Sequence, residues 1–248
     1  MDLSYSSHFD SNEAVDYARM YDEPSYSKLL WQVEQAQLER LLARFRATHP
    51  HIDHLDFASG TGRIIQFIEG RVDTSVGIEI SPDMIEIARS RVKKSRLICK
   101  DITAPGAEVE GQYDLITAFR FVLNAEPNLR LAALRALRAR LRDASSWLIF
   151  NNHGNLWSHK ALLWPYHRVR RAGSGRLPAG NYLSHSEIME ATRAAGLEAE
   201  RVQGCGVLSA KMLKILPFDR LVQLEQWLAE REELSRWGVN QLYVARMR

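Results

Sequence analysis

From about residue 52 onward, short apolar runs rich in β-branched and aromatic residues alternate with amphipathic stretches of helical period. That alternation marks successive βαβ units and predicts a largely parallel sheet. The runs IDHLDF (52–57), TSVGIEI (74–80), RLICKD (96–101), YDLITAF (113–119) and SSWLIFN (145–151) read as five strands. Between the second and third, Ser81-Pro82-Asp83 offers an N-cap oxygen, a proline at the first helical position and an acid in the first turn, opening the helix MIEIARSRV. NLRLAALRALRARLR puts Leu134, Leu137 and Leu141 on one face and reads as a helix whose arginines are solvated. Upstream, SKLLWQVEQAQLERLLARF has helical spacing through Leu30, Val33, Gln37, Leu38, Leu41 and Leu42. Downstream, Ser184 and Ser186 begin the helix SEIMEATRAAG, which Gly196 ends where a left-handed residue is cheap. A strand LEAERVQG, one long helix FDRLVQLEQWLAEREELSRW stopped near Gly238, and a β-prone run VNQLYVARM complete the pattern.

Composition fits an ordinary globular enzyme: 248 residues, 46% hydrophobic and 25% charged, enough for one sizeable core. The N-terminal stretch has no basic region followed by an apolar run, and no apolar stretch approaches the roughly 18–20 residues that span a bilayer. A soluble, cytoplasmic protein is therefore expected. Cys99 and Cys205 stand far apart without a CxxC partner, so they indicate neither a disulfide framework nor a zinc site and read as small buried apolar residues. The net charge of +3 is uneven. No acid lies between Asp143 and Glu187, whereas Lys160, Arg168, Arg170, Arg171 and Arg176 all do.

The first strand runs from Asp56 directly into Ala58-Ser59-Gly60-Thr61-Gly62 and then into the apolar helix IIQFIEG. Strand, small-residue turn and helix N-terminus are the context of a nucleotide loop. Held phosphates of the P-loop kind need Gly-Lys-Ser/Thr, and Arg63-Ile64 stands there instead. A dinucleotide loop needs a third glycine for close helix-to-strand packing, and Ile65 occupies that position.

The run Asp56-Phe57-Ala58-Ser59-Gly60-Thr61-Gly62 resembles the first motif of class I S-adenosylmethionine-dependent methyltransferases, with Ala58 replacing the commoner first glycine. Glu79 closes the second strand at the family's spacing, where the resemblance implies a carboxylate accepting two ribose hydroxyls. It further implies that Ile80 and Met84 flank adenine, that Asp101 and Ile102 recognise the adenine edge, and that the fourth strand, through Phe119, leads to the place where donor meets acceptor. The implied fold is a Rossmann-like, seven-stranded sheet, mostly parallel with its last strand antiparallel and helices on both faces. Residues 1–50 would form a helical cover of the same domain, and an acceptor-side insertion would span about 154–183. Tyr17, Tyr21 and Tyr26 could reach the site, where an aromatic face suits a sulfonium, or could pack in the core.

Methyl transfer from a sulfonium is chiefly alignment, and a base is needed only when the acceptor loses a proton. FNNHGN puts Asn151, Asn152 and His153 at the carboxyl end of the sheet, and His153 is the candidate base for a hydroxyl acceptor. Arg120 and Asn124, after the fourth strand, face the same mouth and are candidates to orient the acceptor; capping of local backbone is the alternative for both. The acid-free window mixes its cations with Trp157, Trp164 and Tyr166, which suits an anionic or sugar-bearing substrate, a phospholipid surface or RNA. FRFVLN stands where a base amino-methyltransferase would carry its Pro-Pro-aromatic motif, and no RNA-binding module is evident. The expectation is O-methylation of a small-molecule or saccharide acceptor, possibly anionic, with RNA or amine methylation and non-catalytic adenosine binding as alternatives.

Overall fold

The computed structural model describes residues 21, 24–101, 111–162 and 182–248. Its first helix, α1 (Tyr26–Arg46), starts where Ser25 Oγ accepts the Lys28 N–H at 3.1 Å and ends with Arg44 and Arg46 against the negative end of the helix dipole. There follow β1 (Asp53–Phe57), α2 (Arg63–Ile68), β2 (Thr74–Glu79), α3 (Pro82–Arg91), β3 (Arg96–Cys99), β4 (Leu115–Ala118), α4 (Pro127–Arg138), β5 (Trp147–Asn152) and α5 (His159–Leu162). The chain ends with α6 (His185–Ala194), β6 (Leu197–Cys205), a 3-10 turn (Ala210–Lys214), α7 (Phe218–Ala229), α8 (Glu232–Ser235) and β7 (Asn240–Met247).

The seven strands form one sheet in the order β3-β2-β1-β4-β5-β7-β6. Strands β1 to β5 pair in parallel, and β7 runs antiparallel to both β5 and β6. This is the expected Rossmann-like architecture with its antiparallel last strand. The strand order reverses between β1 and β4, so a crevice opens there at the strands' carboxyl ends.

Alternation along the strands sends Leu55, Phe57, Ile116, Ala118, Leu148 and Phe150 to one face, beneath Leu134 and Leu137 of α4 and Ile188 of α6. The opposite face receives Leu38, Leu41 and Phe45 of α1 with Ile64 and Ile68 of α2, against Leu115, Ile149 and Val244. Helix α1 thus packs on this face of the sheet, while residues 1–20 of the expected cover lie outside the described residues. Through Leu29, Leu30 and Val33 it also joins Leu221 and Val222 of α7 in a third cluster.

Local signals translate directly. Ser81 caps α3 with Pro82 at its first turn, Ser184 and Glu187 form a reciprocal capping box on α6, and Gly196 follows α6 at φ +76°. Two expectations are corrected. The long helix over 218–237 breaks at Glu230 and Arg231 into α7 and α8. The turn lets the Ser235 and Gly238 carbonyls receive the Gln241 side-chain amide, folding the segment back onto the start of β7. Cys205 is buried, but Cys99 is exposed at the end of β3, the edge strand of the sheet.

Candidate functional site

The turn between β1 and α2 takes the left-handed conformation three times, at Ala58 (φ +53°), Gly60 (φ +53°) and Gly62 (φ +82°). It is tied inward by Ser59 N–H to Ile78 O at 3.0 Å and Gly62 N–H to Ser59 O at 2.9 Å. A Cβ on Gly62 would stand 3.0 Å from the Ala88 Cβ, so this glycine lets α2 and α3 approach. The isoleucine at the third-glycine position is accommodated from the other side. A Cβ on Gly77 of β2 would lie 2.9 Å from Ile65 Cδ1, so the strand, not the helix, supplies the missing side chain. Sequence reasoning passed over Gly77; a glycine inside a β-rich run was its signal.

Glu79, nearly buried at the end of β2, staples this turn to α3. Its Oε2 accepts the Gly60 N–H at 2.8 Å, and its Oε1 accepts the N–H groups of Ile80 at 2.8 Å and Ser81 at 3.0 Å. A carboxylate has about four acceptor positions, so one remains beyond these three bonds. A diol held by two hydroxyls requires exchange of one main-chain bond.

Asp56 is 1% exposed. Its Oδ1 accepts from Thr117 Oγ1 at 2.6 Å, and its Oδ2 has no hydrogen-bond partner among the described residues. Burial pushes its carboxyl up to about 7, against the opposing pull of the Thr117 bond and the Arg63 charge. Thr117 Oγ1 also meets His54 Nε2 at 2.9 Å, and His54 Nδ1 meets Ser75 Oγ at 2.8 Å. Burial holds His54 at about 3, hence neutral, in this string of four polar groups under the turn.

The residue that sequence reasoning used only to exclude a P-loop proves central. The Arg63 guanidinium is buried between the rings of Tyr21 and Trp31, 4.4 and 4.1 Å from their centroids, with Nη1 3.9 Å from Glu34 Oε2. Its Nε and Nη1 have no hydrogen-bond partner among the described residues. Asp56, Ser59, Gly60, Thr61, Arg63 and Phe119 line one cleft, with Ala58 and Ile64 at its wall. Beside it, Ile80 is exposed and Met84 half-buried, its Sδ 3.9 Å from where a Gly60 Cβ would stand. Asp101 is half-buried just past β3, while Ile102 and Tyr17 lie outside the described residues.

Tyr21 turns its face to Arg63, with the Arg120 guanidinium 5.9 Å from the centroid of the same ring. Tyr26 belongs to the third cluster and donates to Leu208 O at 2.7 Å.

On the acceptor side, Arg120 sits at φ +59°, a conformation that costs a non-glycine residue about 1–2 kcal/mol. It is held by its N–H bond to Asn151 Oδ1 at 2.7 Å and by Asn124 Nδ2 donating to its carbonyl at 2.8 Å. Asn124 therefore caps this turn. Asn151 Nδ2 and Asn240 Nδ2 both donate to Glu34 Oε1, at 2.9 and 3.0 Å. Glu34 was missed, although it falls on the apolar face of α1 between Leu30 and Leu38, the one acid at helical spacing there.

His153 follows β5 and is half-buried, with a buried Nδ1 that has no hydrogen-bond partner among the described residues. Burial first, then the charges of Arg120, Lys160 and Arg63, hold its imidazole well below the ordinary histidine range. The two ends of the expected insertion are pinned together by an Asn155–Leu183 bridge and by Asn152 Nδ2 donating to Leu183 O at 2.9 Å. Lys160 and Trp157 are the described members of the basic window, both exposed; Trp164, Tyr166, Arg168, Arg170, Arg171 and Arg176 lie outside the described residues. No group of histidine, cysteine and acid side chains suits a metal ion among the described residues, and no described helix is long and apolar enough to cross a membrane.

A family model described as "Methyltransferase domain" matches residues 30–202. No curated protein matches the sequence. Among solved structures, magnesium protoporphyrin IX methyltransferase from Synechocystis PCC 6803 with bound S-adenosylhomocysteine aligns at TM-score 0.64 and 13% identity, covering 98% of this chain and 97% of that one. A possible histamine N-methyltransferase from Thermotoga maritima aligns at TM-score 0.61 and 15% identity, covering 97% and 99%. CalS10, an amino pentose methyltransferase from Micromonospora echinaspora with bound S-adenosylmethionine, aligns at TM-score 0.55 and 18% identity, covering 86% and 91%.

Proposed function

The chain belongs to the methyltransferase-domain family, and from that membership we propose that it uses S-adenosylmethionine to methylate an oxygen of a small-molecule or saccharide acceptor. The observation that carries the donor assignment is the pairing of the Glu79-stapled glycine turn with unsatisfied polar atoms in the adjoining cleft. Among the described residues, Asp56 Oδ2, Ser59 Oγ and Arg63 Nε and Nη1 are buried there without hydrogen-bond partners. Buried polar groups are ordinarily paired, so a zwitterionic ligand with a ribose fits this set. Arg63 offers two donors to the ligand's carboxylate, Asp56 an acceptor to its cationic part, and Glu79 its remaining acceptor position to a ribose hydroxyl. Ile80 and Met84 provide an apolar wall for a base, with Asp101 and Ile102 proposed at its edge.

The bound donor supplies a methyl group on a sulfonium, which an acceptor lone pair displaces with the bonding pair passing to sulfur. The chain's own task is to align the acceptor along that axis. Phe119 lies at the junction of the two halves of the site, and Arg120, fixed by Asn151 and Asn124, follows it directly. His153, neutral in this setting, takes the hydroxyl proton. The structural likeness to an amino pentose methyltransferase supports the saccharide reading of the acceptor.

Isothermal titration tests the donor site: S-adenosylhomocysteine binds, Arg63→Ala weakens it at least tenfold, and NAD does not compete. Preference for NAD would sink the reading.

A further inference from the structure

We propose that Thr117, His54 and Ser75 are a proton relay for Asp56: when the cationic part of the methyl donor enters the cleft, the Asp56 proton leaves through these three side chains, and His54 changes tautomer as it passes. The identity of the ligand rests on the donor reading above, but the relay itself is argued from register, distance and burial.

Strand pairing builds the chain of groups. His54 and Asp56 stand two positions apart on β1 and so share one face of the sheet, with His54 in register with Ser75 of β2 and Asp56 with Thr117 of β4. Ser75 Oγ lies 2.8 Å from His54 Nδ1, His54 Nε2 lies 2.9 Å from Thr117 Oγ1, and Thr117 Oγ1 lies 2.6 Å from Asp56 Oδ1. Asp56, Thr117 and His54 are buried, whereas Ser75 is half-buried and meets solvent. The four groups thus join the wall of the cleft to the outside by a second route.

Hydrogen counting leaves this chain two directions. Each hydroxyl donates one hydrogen, and a neutral imidazole carries one N–H. With Asp56 ionised, Thr117 O–H donates to Oδ1, His54 Nε2–H donates to Thr117 Oγ1, and Ser75 O–H donates to His54 Nδ1. With Asp56 protonated on Oδ1, every bond reverses: Oδ1–H donates to Thr117, Thr117 O–H to Nε2, Nδ1–H to Ser75, and Ser75 O–H to water. Ionisation converts the second state into the first. Thr117, His54 and Ser75 each receive one hydrogen and hand one on, the Asp56 bonding pair stays on Oδ1, and one proton passes to water. Burial holds His54 at about 3, so it stores no charge and serves by exchanging tautomers.

Two features favour this route. Oδ2 has no hydrogen-bond partner among the described residues, so the paired place for the proton is Oδ1, on the relay. A ligand seated against Ser59, Gly60 and Arg63 closes the cleft side. Of the charged groups about Asp56, Arg63 of α2 favours the carboxylate and Glu79 of β2 opposes it, β4 offers the neutral Thr117, and Glu34 of α1 is engaged by Asn151 and Asn240 beside Arg63. Burial outweighs the Arg63 charge in the ligand-free chain and keeps the proton on; an arriving ammonium reverses that balance.

The test follows the ring nitrogens of isotope-labelled histidine by NMR in the full chain, with His54 assigned through its own backbone resonances. The expected result for the ligand-free chain is the Nδ1–H tautomer below about pH 7 and Nε2–H above it. Saturation with S-adenosylhomocysteine at pH 6 switches His54 to Nε2–H. Calorimetry in buffers of different ionisation enthalpy then reads about one proton released per ligand at pH 6 and almost none at pH 8. Thr117→Val removes the middle hydroxyl at nearly constant shape and is expected to hold His54 in one tautomer under all these conditions, whereas Thr117→Ser keeps the switch. A histidine that only fills the core shows one tautomer throughout in the parent chain, and that result overturns the relay. So does a switch that persists in Thr117→Val or vanishes in Thr117→Ser. The parent chain decides even where Thr117→Val does not fold. If the switch with pH appears while S-adenosylhomocysteine fails to bind, the donor reading falls and the relay stands; binding with an unmoved His54 removes the relay alone.

Discussion

Glu34 on α1 accepts a hydrogen bond from Asn151 on β5, 2.9 Å away and 117 positions distant in sequence. The same carboxylate receives Asn240 from β7 and faces Arg63, while Asn151 in turn holds the Arg120 backbone. One buried acid therefore ties the covering helix to both halves of the site. Glu34→Ala leaves two amides and a guanidinium buried with a partner removed, and a loss of about 3–5 kcal/mol is expected in urea unfolding. Glu34→Gln keeps one acceptor oxygen and loses about 1–3 kcal/mol. Equal, small losses from both would mean that the carboxylate holds nothing together.

Within the glycine turn, two substitutions of opposite kind have opposite signs. Ala58 carries a side chain at φ +53°, so Ala58→Gly relieves left-handed strain and stabilises the fold by about 0.5–1 kcal/mol, after the entropy gained by the unfolded chain. Gly62→Ala meets both a φ of +82° and the Ala88 Cβ at 3.0 Å, and costs about 2–3 kcal/mol. Thermal unfolding of the two variants checks the signs directly.

The fold was legible because its signals are local: Ser81 and Ser184 cap, Gly196 terminates, and the apolar runs place strands within a residue or two of those observed. The glycine turn was legible for the same reason, since Asp56, Gly60, Gly62 and Glu79 stand on one βαβ unit that the structure brings together. What escaped depends on tertiary contacts. Arg63 matters because Tyr21 and Trp31 enclose it, and Glu34 matters because β5 and β7 bring amides to it. The break at Glu230 was hidden because the continuous helical pattern carries no proline or glycine there.

Asp56 makes stability and donor binding respond oppositely to pH. Its folded value, raised to about 7 from an unfolded value near 4, means that the folded chain holds an extra proton between them. Stability is fully present below about pH 4 for this group and falls as pH rises to about 7, by on the order of 3–4 kcal/mol. Asp56→Asn abolishes that slope and stabilises the ligand-free chain above pH 7. Ionisation supplies the charge that attracts the donor's cationic part, so S-adenosylmethionine binding tightens as pH rises through about 7 in the parent chain and stays flat in the variant. Calorimetry at pH 6 and 8 reads both effects, and parallel slopes in the two chains would remove Asp56 from the site.

Glu79 has two roles that a single variant confuses. The bonds to Gly60, Ile80 and Ser81 make it a staple, and its last acceptor position is the proposed ligand contact. Glu79→Gln retains one acceptor oxygen but turns an NH2 toward main-chain donors, so about 1–3 kcal/mol of stability is lost before any ligand enters. Hydrogen exchange at the Gly60 amide measures the staple; titration with S-adenosylhomocysteine and with homocysteine, which lacks the ribose, measures the contact. A ribose contact predicts at least tenfold weaker binding of the nucleoside ligand and a much smaller change for homocysteine. Equal weakening of both assigns Glu79 to the turn alone and moves the ribose to another partner, with Asp101 the next to test.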